Sequence, residues 1–200
     1  MKLRLYLLIV SLLVTSACTT QPKKSTEVEQ GEWIKFNGHA FKHQSWALNG
    51  RFVVRNESES WHGDIYWQQE NETYLIRLSG PLGQGKVQLK GKPGHSELQL
   101  SENEYYIAED AERLLSRFTG VVIPVEGLRY WVLGVPRPNN VNAGLEQDEQ
   151  GRLVRITQHG WDVQIKRYDQ VDGETLPTKL FMDNKEYKVR LVVDQWQLKA

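Results

Sequence analysis

From Trp46 onward, apolar and polar residues alternate with a period of two. Trp46, Leu48, Gly50, Phe52 and Val54 share one face of an extended run, and Trp61, Gly63, Ile65 and Trp67 repeat the pattern. Tyr74, Ile76 and Leu78 follow, then Val87 with Leu89, Leu98 with Leu100, and a short run through Ile107. Turn-forming clusters separate these runs: Asn56-Glu57-Ser58, Glu70-Asn71-Glu72 and Gly91-Lys92-Pro93-Gly94. Short alternating strands at this spacing predict an antiparallel meander with one polar face.

The period lengthens at Asp110. Ala111, Leu114, Leu115 and Phe118 recur at i, i+3, i+4 and i+7, which predicts a helix with Asp110 at its start and Gly120 as its C-terminal cap. Pro124 suits the first position of a second helix, whose Leu128, Trp131 and Val132 line one side before Gly134 and Pro136 stop it. Residues 137–150 read as a polar loop. Strands resume over Leu153–Thr157, Trp161–Tyr168, Lys179–Met182 and Tyr187–Leu198. Apolar parity slips between Val193 and Trp196, so a bulge is expected around Asp194. Upstream, Trp33, Phe36, Ala40 and His43 fall at helical spacing and predict a short amphipathic helix over 33–44. A meander of about ten or eleven strands around a two-helix insert can close, or it can curl partway with helices covering the open side. Wide apolar stripes on mid-sheet helices favour the second. The expected fold is mainly β with an α lid: a single-domain, unclosed antiparallel β-barrel covered by short helices and enclosing a hydrophobic cavity.

The N-terminus changes the picture. Lys2 and Arg4 precede an apolar run, Leu5 to Val14, broken only by Ser11; Thr15-Ser16-Ala17 then leads to Cys18, the sole cysteine. A bilayer span needs about 20 apolar residues, so this run has the size of a secretory signal instead. A cleavage point at a lone cysteine fits a lipoprotein signal over 1–17, with Cys18 acylated. An ordinary export signal with an incidental cysteine is the alternative. Residues 18–31 are polar and aperiodic, an anchor and flexible tether, leaving 32–200 as the folded domain.

With Lys2 and Arg4 removed from the 25 basic residues, 23 remain against 25 acidic ones, a balance that argues against nucleic acid. One cysteine excludes an internal disulfide and a CxxC pair. The chain is polar on average, with a mean hydropathy of −0.54, yet holds seven Trp, eight Tyr and five Phe. Such rings suit a lined, partly accessible cavity or an ordinary core equally well. Gly80 to Val87 (GPLGQGKV) nearly matches a phosphate-binding loop but ends in Val87 and leads into a strand. His39 and His43 lie at i, i+4 without the glutamate of a metalloprotease helix. No group is placed as a nucleophile with an oriented base, so neither an enzyme nor a metal site is expected.

The segment Gly80-Pro81-Leu82-Gly83 joins two strands by a connection longer than a hairpin needs. Proline and glycine fix its shape, and Leu82 sits at its tip. Either Leu82 folds back onto the sheet edge, or it forms a finger that dips into a membrane or a partner.

The Pro81-Leu82-Gly83 turn, the EDAERLLSRFTG helix, the GLRYWVLGVP helix and the lipoprotein signal occur in this order. Together they resemble the LolB family of outer-membrane lipoprotein receptors along essentially the whole chain. The resemblance implies an unclosed barrel with a helical lid and an apolar interior. It implies a monomer that accepts acylated lipoproteins from a LolA-like periplasmic carrier and incorporates them into the outer membrane, without a cofactor. The family's protruding-loop leucine falls on Leu82, with membrane phospholipid as its implied contact. Thr19, following Cys18, is not the aspartate associated with inner-membrane retention, which implies a place on the periplasmic face of the outer membrane. Thr15 stands where such signals usually carry leucine. By strand parity, the acyl-chain cavity is expected to involve Phe52, Ile65, Trp67, Ile76, Leu78, Leu89 and Leu100. Leu115, Phe118 and Trp131 would face them from the helices. Each serves equally well as plain core, and a one-residue slip would turn a whole strand outward. An anchored β-barrel scaffold, filled by its own side chains and binding a protein, is the competing reading.

Overall fold

The computed structural model describes residues 45–81, 85–138 and 143–199. The signal, Cys18, the tether, the 33–44 helix and the Leu82-Gly83 tip lie outside the described residues. Among the described residues, eleven strands and two helices follow one another as β1 Ser45–Arg55, β2 Ser60–Glu70, β3 Thr73–Ser79, β4 Val87–Lys92, β5 His95–Ser101, β6 Glu104–Ala108, α1 Ala111–Thr119, α2 Val125–Trp131, β7 Gly144–Gln147, β8 Leu153–Gln158, β9 Trp161–Val171, β10 Glu174–Asp183 and β11 Lys188–Leu198. All eleven strands form one sheet, in the order β6-β5-β4-β3-β2-β1-β11-β10-β9-β8-β7. Two meanders therefore meet where β1 pairs antiparallel with β11, and β6 and β7 are left as separate edges. The barrel is unclosed, as expected.

Local chemistry explains the turns. His159-Gly160 and Asp172-Gly173 make two-residue connections with positive φ at both positions, the twist that suits tight hairpins. The expected bulge is present: Gly50 pairs with Val193 and Asn49 with Gln195, so Asp194 has no partner residue across the ladder. Its carboxylate accepts from the Arg51 Nε at 3.0 Å and Nη2 at 2.8 Å on the sheet's outer face.

The helices also form where capping chemistry predicts. Asp110 accepts from the Glu112 amide at 2.7 Å. Gly120 takes a left-handed conformation (φ 69°) that lets its N–H reach the Ser116 carbonyl at 2.9 Å. α1 lies against β5 and β6. Pro124 stands one place earlier than expected: it precedes α2 and its carbonyl accepts from Leu128 at 2.8 Å.

Three boundaries differ from the sequence pattern, the simplest being β9, which runs past the expected Tyr168 to Val171. The expected loop at 137–150 contains β7, in which only Leu145 is buried; a four-residue strand with one inward apolar side chain shows no period. β10 begins at Glu174, well before Lys179, because register shifts between Pro177 and Leu180 interrupt the alternation.

The inner face is one apolar cluster. Trp46 packs against Trp67 (ring centroids 5.3 Å apart) and against Trp196 (5.5 Å) at the junction of the two meanders. Trp196 Nε1 donates to the Pro177 carbonyl at 2.9 Å, so its own indole N–H is paired although the ring is buried.

Candidate functional site

Strand register sorts the inner face of β1 to β5 into rows. One row runs Leu48, Trp67, Ile76, Leu89, Leu98 through direct cross-strand pairs, and each member is 6% exposed or less. The next row, two residues along each strand, pairs Ile65 with Leu78 and Leu78 with Val87; Leu100 continues it, one residue past Gln99, the partner of Gln88. These four are only half-buried, as is Phe52 on β1. The same inner face is thus sealed on one row and partly open on the next. The open row lies at the strand ends that lead into Gly80 and the exposed Pro81.

Of the ten residues expected to face acyl chains, Trp67, Ile76, Leu89, Leu115 and Trp131 are buried in the core, while Phe52, Ile65, Leu78, Leu100 and Phe118 sit at its margin. Phe118 reaches from α1 to Tyr106 on β6, with ring centroids 3.9 Å apart. Trp131, on α2, is fully buried 6.4 Å from Trp161. The structure brings the sheet residues into adjacent rows but divides the helix residues between β6 and β8–β9.

Gln158, not singled out in the sequence, fixes Trp131. Its side chain is 1% exposed; Oε1 accepts from Trp131 Nε1 and from the Arg137 amide, both at 2.9 Å, and Nε2 donates to the Arg137 carbonyl at 2.8 Å. A glutamine before a His-Gly turn reads as a loop residue, so only the fold exposes this role. Tyr168 is a second such clamp: its hydroxyl donates to the Leu153 carbonyl at 2.7 Å, and burial pushes its pKa upward.

A hollow of about 1010 Å³ lies beside the open row. Ile65, Leu78, Val87 and Leu100 border it, but so do the outward-facing Asn49, Tyr66, Arg77, Gln88 and Gln99, and no residue of α1 or α2 does. Arg77 lies 5.6 Å over the Tyr66 ring and donates from Nε to Gln88 at 3.0 Å; Gln88 in turn donates to Gln99 at 3.0 Å. This hollow is a mixed groove along the rim and outer side of the sheet, distinct from the apolar space expected beneath the helices. Among the described residues, no group of three His, Cys, Asp or Glu side chains could hold a metal, and no helix is long and apolar enough to cross a membrane.

An unclosed antiparallel sheet with helices on its inner side is a fold shared with solved proteins of low sequence identity. The LolA superfamily protein from Nitrosomonas europaea superposes with a TM-score of 0.56 at 10% identity, over 86% of this chain and 93% of that one. A putative outer membrane lipoprotein-sorting protein domain from Vibrio parahaemolyticus gives 0.56 at 10% identity, over 84% of this chain and 92% of that one. In sequence, the family described as "Outer membrane lipoprotein LolB" matches residues 44–196. The outer-membrane lipoprotein LolB of Nitrosococcus oceani is 35% identical over 197 residues, 98% of each chain; that of Pseudomonas paraeruginosa is 32% identical over 200 residues, 98% of this chain and 97% of the other. The chain belongs to the LolB family. It is not an enzyme.

Proposed function

We propose that the chain is an outer-membrane-anchored receptor that takes acylated lipoproteins from a LolA-like periplasmic carrier and passes them into the outer membrane. The observation that carries this reading is the half-buried row Ile65-Leu78-Val87-Leu100, apolar side chains left partly accessible next to the Pro81 connection in a chain of this family. A triacylated N-terminus withdraws roughly forty methylenes from water, each contributing about 0.8 kcal/mol. Cargo of that kind requires an apolar surface at every stage of its passage. A tenfold preference for each successive host needs only about 1.4 kcal/mol per step. No bond is broken and no nucleotide is consumed.

In this reading residues 1–17 are removed, Cys18 is acylated and 18–31 tether a monomeric domain, 32–200, to the periplasmic face. Acyl chains enter over the open row and spread the margin formed by Phe52 and Phe118. Leu82, at the tip of the connection, touches phospholipid during delivery. The decisive experiment is transfer of a labelled lipopeptide from its carrier to the soluble domain and then to liposomes. Leu82→Glu is expected to accept lipopeptide normally, keep its stability within about 0.5 kcal/mol, and deliver poorly. Delivery equal to the parent overturns the role of the finger.

The filled Trp46-Trp67-Trp196 cluster favours a second reading, an anchored scaffold that binds a protein on its surface. The same experiment separates the two, since a scaffold takes up no lipopeptide.

A further inference from the structure

The two edges of the sheet are built differently. β7 is four residues long and turns its one leucine inward, the kind of short edge that resists pairing with another chain. β6 has no such protection. It is the outermost strand, and its outward-facing Tyr105 and Ile107 are each 61% exposed, the most exposed large apolar side chains among the described residues. Tyr105 pairs with Gln99 and Ile107 with Glu97, so both stand on the sheet's outer face, opposite to Tyr106, which packs on Phe118. Neither lysine nor proline, the usual guards of an edge, occurs between Ser101 and Asp110.

Charge selects what such an edge accepts. Glu104 opens the strand, Glu102 and Glu109 flank it, and the residues from Ser101 to Asp110 contain no basic side chain. Glu97 adds a fourth carboxylate beside Ile107, shared with Lys90 at 4.0 Å. A second copy of the chain pairing edge to edge would set these acids against one another, which is unfavourable. An incoming strand with basic residues meets the opposite situation.

We propose that the free edge of β6 is a docking strand for an extended, basic segment of a partner polypeptide. The segment adds to the sheet through backbone hydrogen bonds, with alternate apolar side chains over Tyr105 and Ile107 and its lysines or arginines on the opposite face toward Glu104, which already accepts from the Tyr106 hydroxyl at 2.8 Å. The inference stands apart from the acyl-chain reading, since it uses the outer face and the edge.

The test uses the purified full chain with two capped peptides of about ten residues, one alternating valine and lysine, the other valine and glutamate. The lysine peptide is expected to slow amide exchange across Glu104–Ala108, an effect that a side-chain contact alone does not produce, and to bind more weakly at high salt. Tyr105→Lys with Ile107→Lys, both at exposed positions, should weaken it about tenfold or more, with far-UV dichroism checking the fold. No slowing of exchange, or equal slowing by both peptides, overturns the proposal. So does protection of β6 without peptide in a concentration-dependent dimer, which would identify a second copy as the occupant.

Discussion

In β8 to β11 the inner apolar residues Leu153, Ile156, Val163, Ile165, Leu180, Leu191 and Val193 are all 5% exposed or less, whereas in β2 to β5 the inner residues Ile65, Leu78, Val87 and Leu100 remain half-buried. Both halves carry the same alternation, and both are antiparallel meanders of one sheet. The difference comes from what covers them. Trp131 from α2, held by Gln158, lies among the C-terminal strands, while α1 rests mainly on β5 and β6. The lesson is that the inner rows of the C-terminal half are sealed, whereas the N-terminal half sets one sealed row beside one that presents apolar surface, although the strand patterns look alike.

The sharpest way to break this comparison is to remove the cover. Trp131→Ala should cost about 3 to 5 kcal/mol, because a fully buried indole leaves a cavity that its neighbours fill only in part. Denaturant unfolding would measure it, and a loss below 1 kcal/mol would mean the C-terminal half is less tightly closed than its burial implies. Gln158→Leu is next. It strands the Trp131 indole N–H and both polar groups of the Arg137 backbone, for a loss of about 1 to 3 kcal/mol by the same measurement. A Gln158→Glu variant should recover part of it, since the carboxylate can still accept from both donors.

On the open row the order of effects reverses. Leu78→Ser should lower stability by only about 1 kcal/mol, less than a buried leucine would, yet reduce lipopeptide uptake about tenfold. Fluorescence titration with a labelled lipopeptide checks this. Unchanged uptake would place the acyl-binding surface elsewhere.

The smallest effect concerns the C-terminal surface. Asp162 accepts from Arg155 Nε and Nη2 at 2.5 and 2.9 Å, and that contact first, then Gln164, holds its carboxyl below the usual carboxylate range against the opposing effect of burial. A depressed folded pKa contributes stability that is present above the unfolded value near 3.9 and disappears as pH falls through the folded one. With both side chains partly exposed, the contribution is no more than about 1 kcal/mol. Asp162→Asn should therefore unfold like the parent near pH 2 and slightly more easily at pH 7. A difference that grows toward low pH would reverse the assigned sign.

The helix α1 was readable because its signals are local: Asp110, a four-residue apolar stripe and Gly120 lie within one short segment. The Asp194 bulge was readable for a related reason, since a parity slip between Val193 and Trp196 is visible along a single strand. β7 was not, because one inward leucine carries no period. Nor was the division of the predicted lining into five buried and five marginal residues. Ile76 and Leu78 are equivalent in sequence, two steps apart on one strand, but Ile76 lies in the sealed row and Leu78 in the open one.

The amino-acid sequence by itself determined the alternation that makes the sheet, the caps that bound α1, the bulge, and the side of each strand that faces inward. Those features depend on residues near one another along the chain, where backbone geometry and side-chain chemistry act directly. Only the tertiary structure decided which inner residues are sealed, that Gln158 clamps Trp131 across 27 positions, and that β6 is left as an exposed acidic edge. Burial and exposure arise from which distant segments come to rest on a given strand, and period-two patterning is the same whether or not a helix arrives to cover it.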